Sequence, residues 1–188
     1  MLCRANLFFF EESFLRVWRG DVEDDPFNRL VLLAELSWRQ VSLLRAYAKY
    51  YRQTGTSFSP YYIADTLVAN PTIAKMLVIF FEEKFDPSIS SSDRQAERVR
   101  IQLFKALDSV SMLDQDRIIR KYISLITSTL RTNFYQTDRS DCSHNYISLK
   151  LKTSSIIDMP LPIPKYEIFV YGVDFEGIHL RADKVARG

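Results

Sequence analysis

The sequence predicts an α+β protein, mainly α: a helical bundle over residues 1–136, followed by a short antiparallel β segment over residues 137–188. Three observations carry this. Apolar residues up to Gln136 recur at helical spacing, and glycine is scarce, with five in 188 residues. Helix-start signals break that stretch into separate rods. After Thr137 a polar loop gives way to runs with strand-type alternation.

The first helix covers residues 8–18, with Phe10, Phe14, Val17 and Trp18 near one face. Gly20 ends it, and the acidic stretch 21–26 reads as a turn before a short helix at 27–34. Ser37 and Gln40 have the spacing of a capping box. Val41, Leu44, Tyr47, Ala48 and Tyr51 follow on one face of a helix that Gly55 terminates. Ser59-Pro60 supplies a cap and then a proline at the first helical position. Asn70-Pro71 repeats that pattern, so helices at 60–69 and 71–84 meet at a sharp break. Phe85-Asp86-Pro87 stops the run, and residues 88–93 form a serine-rich linker. A helix at 94–110 follows. Asp114 is then expected to cap a longer helix to about 135, with Ile118, Tyr122, Leu125, Ile126, Thr129 and Leu130 buried. Three strands are expected beyond the loop: 146–151, 166–172 and 177–182, the last two joined by a short connection at 173–176. Pro160, Pro162 and Pro164 make a stiff extended connector between the first and second.

Composition narrows the function classes. Lys+Arg is 25 and Asp+Glu is 23, a net charge of +2, which does not suit a strongly basic nucleic-acid binder. No run approaches the roughly 18 apolar residues of a membrane span, so no membrane partner is expected. Cys3 and Cys142 stand far apart without a Cys/His cluster, so no metal site is expected and both thiols are read as free and reduced, as in cytoplasm.

Catalytic motifs are absent. His144 and His179 lack a neighbouring nucleophile, and Glu11/Glu12, Glu82/Glu83 and Asp114/Asp116 read as solvated helix ends. There is no glycine-rich phosphate loop, so no cofactor-binding residue is assigned. Tyr47, Tyr50, Tyr51, Phe58, Tyr61 and Tyr62 interleave with Arg45, Lys49 and Arg52. That pattern could stack bases, but core spacing favours a helix–helix interface. Arg117, Arg120, Lys121 and Arg131 read as a solvated face or a contact with another domain.

Several blocks, taken in order, carry a resemblance. Phe14-Leu15-Arg16-Val17-Trp18-Arg19-Gly20 leads to Phe27-Asn28-Arg29-Leu30-Val31-Leu32, then Leu36-Ser37-Trp38-Arg39-Gln40-Val41 and the stretch 43–50. Phe85-Asp86-Pro87, Leu113-Asp114-Gln115-Asp116-Arg117-Ile118 and residues 129–135 follow. Glu167-Ile168-Phe169-Val170-Tyr171, Glu176-Gly177-Ile178-His179-Leu180-Arg181 and Lys184-Val185-Ala186-Arg187-Gly188 complete the order. From about Phe14 to Gly188 this resembles the large, multidomain NAD-specific glutamate dehydrogenases of bacteria.

The resemblance implies that residues 1–136 belong to the helical middle of such an enzyme and 137–188 to the start of its substrate-binding lobe. It implies oxidative deamination of L-glutamate to 2-oxoglutarate and ammonia. It also implies NAD as cofactor of the parent enzyme only, and the remainder of that enzyme, in a homo-oligomer, as partner. Arg187 and Gly188 match the start of an Arg-Gly-Gly stretch at the substrate pocket, where a guanidinium can hold a carboxylate. No catalytic residue is assigned, and the isolated chain is expected to be inactive. The stop directly after a strand suggests that the parent chain continues. The alternative is a non-enzymatic helical interaction module, the product of a split gene.

Overall fold

The structure is a computed structural model that describes residues 4–89, 93–138 and 143–182. In chain order the α-helices are α1 (Arg4–Trp18), α2 (Leu30–Leu33), α3 (Trp38–Gln53), α4 (Pro60–Ala69), α5 (Pro71–Phe85), α6 (Asp93–Leu107) and α7 (Leu113–Ser128). The strands are β1 (Thr129–Thr132), β2 (Tyr146–Leu151), β3 (Tyr166–Gly172) and β4 (Phe175–Arg181). A 3-10 turn at Pro26–Arg29 runs into α2, so the expected 27–34 helix is two shorter pieces.

The predicted helix starts have identifiable causes. Ser37 Oγ accepts from Gln40 N, and the Gln40 side chain accepts from Ser37 N, closing the capping box that opens α3. Ser59 Oγ accepts from Tyr62 N and opens α4. Asn70 behaves differently from expectation. It makes no cap bond to α5; its Nδ2 donates back to Thr66 O at 2.9 Å, closing the end of α4. Pro71 has no N–H to continue α4, and the α4 and α5 axes meet at 98°. Among the described residues no single helix is long and apolar enough to cross a membrane, and both arms of the bent pair contribute to the core. Gly20 and Gly55 end α1 and α3 at φ 75° and 80°, the left-handed region that glycine enters without steric cost.

The expected helix at 114–135 is corrected at both ends. Its N-cap is Met112, and Asp114 instead lies in the first turn, 3.6 Å from Arg117. The helix ends at Ser128, and Thr129–Thr132 is a strand. Leu130, expected in the core, is 45% exposed. The non-local partner explains the switch: Thr129 and Thr132 lie opposite Leu151 and Leu149 of β2. The Asn133 side chain extends the pairing, accepting from Ser148 N at 2.6 Å and donating to Tyr146 O at 3.2 Å. Hence the sheet has four antiparallel strands rather than three, in the order β1-β2-β3-β4.

Ile147, Leu149 and Leu151 of β2 alternate inward opposite Tyr171, Phe169 and Glu167 of β3. This face joins the helices in one core cluster that includes Leu44, Tyr47, Leu67, Leu77, Phe81 and Ile126. Burying a side chain of this size contributes about 1.5–3 kcal/mol. The β3–β4 hairpin is tighter than expected: Gly172 pairs directly with Phe175, leaving Val173-Asp174 as a two-residue turn. Ile178 and Leu180 of β4 lie opposite the buried Phe169 and Glu167, yet both are exposed, so the helical layer leaves this half of β4 uncovered.

Candidate functional site

Helix α3 is the element on which the two parts of the molecule meet. Ten of its residues are buried, including Arg45. Arg45, Lys49 and Gln53 are spaced four apart and form one stripe along it, with Tyr50 beside them. That stripe faces a row of groups from the 21–26 turn and the β3–β4 hairpin.

Arg45 is 0% exposed. Its guanidinium forks onto Asp25, Nε to Oδ2 at 2.6 Å and Nη2 to Oδ1 at 2.9 Å, and Nη2 also donates to Asn28 Oδ1 at 2.9 Å. Glu23 adds a second carboxylate at 3.5 Å. Burial opposes the Arg45 charge, but the hydrogen bond to Asp25 and the charges of Asp25 and Glu23 outweigh it, so its pKa rises. Arg45 therefore stays charged in the core.

The same carboxylates reach the sheet. Glu23 accepts a hydrogen bond from the Tyr171 hydroxyl of β3. Lys49 Nζ bridges Glu23 at 3.5 Å and Glu176 of β4 at 3.1 Å. Burial works against its charge, and Glu176 and Glu23 together raise its pKa. Tyr50 donates to the buried Glu167 of β3 at 2.5 Å, while its ring packs on Phe169 at 5.5 Å between centroids. Burial first, and then Glu167, push the Tyr50 hydroxyl above its ordinary pKa. Deeper in, the Thr129 hydroxyl donates to Leu125 O, so the Tyr47 hydroxyl is the donor in its 2.8 Å bond to Thr129 Oγ1. This arrangement binds surfaces together; it brings no nucleophile to a base. Among the described residues no group of three His, Cys, Asp or Glu could hold a metal ion.

The residues singled out in the sequence fall in several places. Arg187, Gly188, Cys3 and Cys142 lie outside the described residues. Tyr47, Tyr50 and Arg45 are inside the core, where no base could reach them, and Tyr51 is largely buried at the edge of a cleft. Glu12 accepts from Trp38 Nε1 and Glu82 from Gln40 Nε2, so these carboxylates bridge helices rather than only meeting water. Asp116 pairs with Arg120 at 2.7 Å. Lys121 corrects the reading of a solvated face: it is buried, and Nζ donates to the carbonyls of Ile157 and Asp158. His179 is exposed on β4, and the His144 carbonyl accepts from Arg39 Nη1 at 2.7 Å. Asp25, Glu23, Glu167, Tyr171 and Glu176 were not foreseen as a set. Arg45 offered a signal, because it falls among the apolar positions Val41, Leu44 and Ala48, where a cation needs a buried partner.

Comparison with known proteins finds two family matches, in separate stretches of the chain. Residues 22–87 match the family described as glutamate dehydrogenase, helical motif 3. Residues 102–188 match the bacterial NAD-glutamate dehydrogenase catalytic domain. Over nearly its whole length the chain is similar to bacterial NAD-specific glutamate dehydrogenases. It is 45% identical over 182 residues to the NAD-specific glutamate dehydrogenase of Pseudomonas aeruginosa, 43% over 179 to that of Halomonas elongata and 44% over 182 to that of Mycobacterium tuberculosis. Each alignment takes in 95% of this chain and 11% of the relative, so the chain spans about a ninth of these glutamate dehydrogenases. Helix α3, Glu23 and Asp25 lie within the helical-motif match, whereas Glu167, Tyr171 and Glu176 lie within the catalytic-domain match. The charged stripe thus joins the two matched regions.

Proposed function

We propose that this chain is part of an NAD-dependent glutamate dehydrogenase, which oxidatively deaminates L-glutamate to 2-oxoglutarate and ammonia. The observation that carries the reading is the match of residues 102–188 to a catalytic domain of that description. In this reading residues 1–136 belong to the helical middle and 137–188 open the substrate-binding lobe, with β1 reaching into the sheet from the helical side. Arg187 and Gly188 meet the substrate, the guanidinium holding a carboxylate through two parallel hydrogen bonds. The parent enzyme works in the cytoplasm as a homo-oligomer, and the remainder of its chain is the partner of this part.

The described residues do not fit a dinucleotide. Such a site needs a glycine-rich turn from a strand into a helix. Here the β3–β4 turn is a two-residue hairpin, and the β2–β3 connection passes through a 3-10 turn and three prolines. We therefore assign NAD to other parts of the parent enzyme and route no step through it. What these residues contribute is position: α3 holds the hairpin from which the chain runs on toward Arg187.

The test is glutamate-dependent NAD reduction by the whole parent enzyme and by the 188-residue chain. Turnover is expected from the former only. Arg187→Ala in the whole enzyme is expected to raise KM for glutamate at least about tenfold, the loss of one charged hydrogen-bonding pair. Turnover by the isolated chain, or an unchanged KM, overturns the reading.

A further inference from the structure

A second charged region lies away from the stripe on α3. The end of α3 and the loop after it, the exposed edge of α7 and the 157–158 turn enclose a cleft of about 440 Å³. Arg117, Arg120 and Lys121 of α7 line it against one carboxylate, Asp158. Tyr51, Thr56 and Ser57 line the facing wall, with Thr56 Oγ1 accepting from Phe58 N at 3.3 Å.

The three cations are not equivalent. Lys121 is committed to the carbonyls of Ile157 and Asp158, and Ser124 Oγ accepts from Ile157 N at 3.0 Å. These bonds hold Asp158 at φ 52°, a left-handed conformation that costs a non-glycine residue energy. Lys121 thus builds the wall. Arg120 uses Nε on Asp116 at 2.7 Å, and its guanidinium lies 5.7 Å from the Phe104 ring centre. Arg117 reaches Asp114 only at 3.6 Å, with its side chain 62% exposed. Such a pair contributes at most about 1 kcal/mol and exchanges readily for a better acceptor. Arg117 and Arg120, three apart, stand side by side on the helix. At that spacing one anion can meet both guanidiniums.

We propose that this cleft binds a small oxyanion, the phosphate or carboxylate group of a metabolite, with Arg117 and Arg120 as its ligands and the facing hydroxyls as further donors. This inference does not depend on the activity proposed above. Occupancy would tie α7 to the end of α3, the helix that grips the β3–β4 hairpin.

The test is an NMR titration of the 188-residue chain with inorganic phosphate and, separately, with citrate, at about 0.15 M ionic strength to screen nonspecific attraction. Saturable shifts confined to residues 51–58, 117–121 and 157–158 are expected with one probe or both, and which probe acts identifies the anion class. The double substitution Arg117→Ala/Arg120→Ala is expected to weaken binding at least about tenfold. Arg131→Ala, a cation on β1 outside the cleft, should leave it unchanged. In parallel, a saturating probe should raise Tm in the wild-type and Arg131→Ala chains but not in the double variant. Non-saturating shifts, equal binding by the double variant, or equal loss in Arg131→Ala overturns the proposal.

Discussion

The Tyr50 hydroxyl of α3 donates to Glu167 Oε2 of β3 across 117 residues of sequence, and both residues are buried. Among the described residues Tyr50 is the hydrogen-bond donor to this buried carboxylate. Tyr50→Phe would keep the ring on Phe169 and leave the acceptor bare. The expected cost is about 1–3 kcal/mol in urea unfolding, and Glu167→Gln in the Tyr50→Phe background should recover part of it. Additive effects of the two substitutions would mean that the bond carries no coupling energy.

Arg45 holds its place by shape as well as by charge. Arg45→Met leaves Asp25 and Glu23 without their buried cation and is expected to cost about 3–5 kcal/mol. Arg45→Lys keeps the charge but loses the fork onto Asp25 and the bond to Asn28, so it should fall between wild type and Met. Chemical denaturation of the three chains ranks them; a lysine variant as stable as wild type would rule out the bidentate geometry as the cause.

Alkaline pH should unfold the protein through its tyrosines. Burial raises the hydroxyls of Tyr47, Tyr50, Tyr122 and Tyr171 above their ordinary range. Below pH about 10 they are protonated folded and unfolded alike. Above it the unfolded chain releases protons that the folded chain retains, so stability falls as pH rises, by about 1.4 kcal/mol per unit for each group. Urea midpoints measured from about pH 9 to about pH 12 should drop steeply; a flat profile would show that these hydroxyls ionise in the folded state.

Leu125 and Leu130 were both read as core and now part company. Leu125 is fully buried, so Leu125→Ala is expected to cost about 2–5 kcal/mol. Leu130→Ala, on an exposed strand position, should cost less than about 1 kcal/mol. Equal costs would favour the continuous helix to 135 over the strand β1.

The Leu130 error shows where sequence reasoning stops. Ser37 with Gln40, and Ser59 before Pro60, announce helix starts because the atoms that make those bonds lie within three residues. Residues 146–151 announce a strand because inward and outward positions alternate in plain view. Thr129–Thr132 continues the apolar spacing of α7, and only β2, some 20 residues later, decides that its backbone joins a sheet. Asn70-Pro71 marks the break correctly, but which helix Asn70 caps is a matter of side-chain direction. The charged stripe was legible only as an oddity at Arg45, because Asp25, Glu167, Tyr171 and Glu176 come from separate parts of the chain. Arg187 and Gly188 were reached through resemblance rather than through chemistry visible around them.

The separation of these partners also sets an order of events at the ribosome. Asp25 and Arg45 are 20 residues apart and can meet soon after α3 emerges. Glu23 and Tyr171 are 148 residues apart, which at about 5–20 residues per second leaves roughly 7–30 s between their syntheses. During that interval Glu23, Lys49 and Tyr50 form a waiting half of a joint, already aligned by the closed Asp25–Arg45 pair. The hairpin arrives late, onto a surface made ready for it.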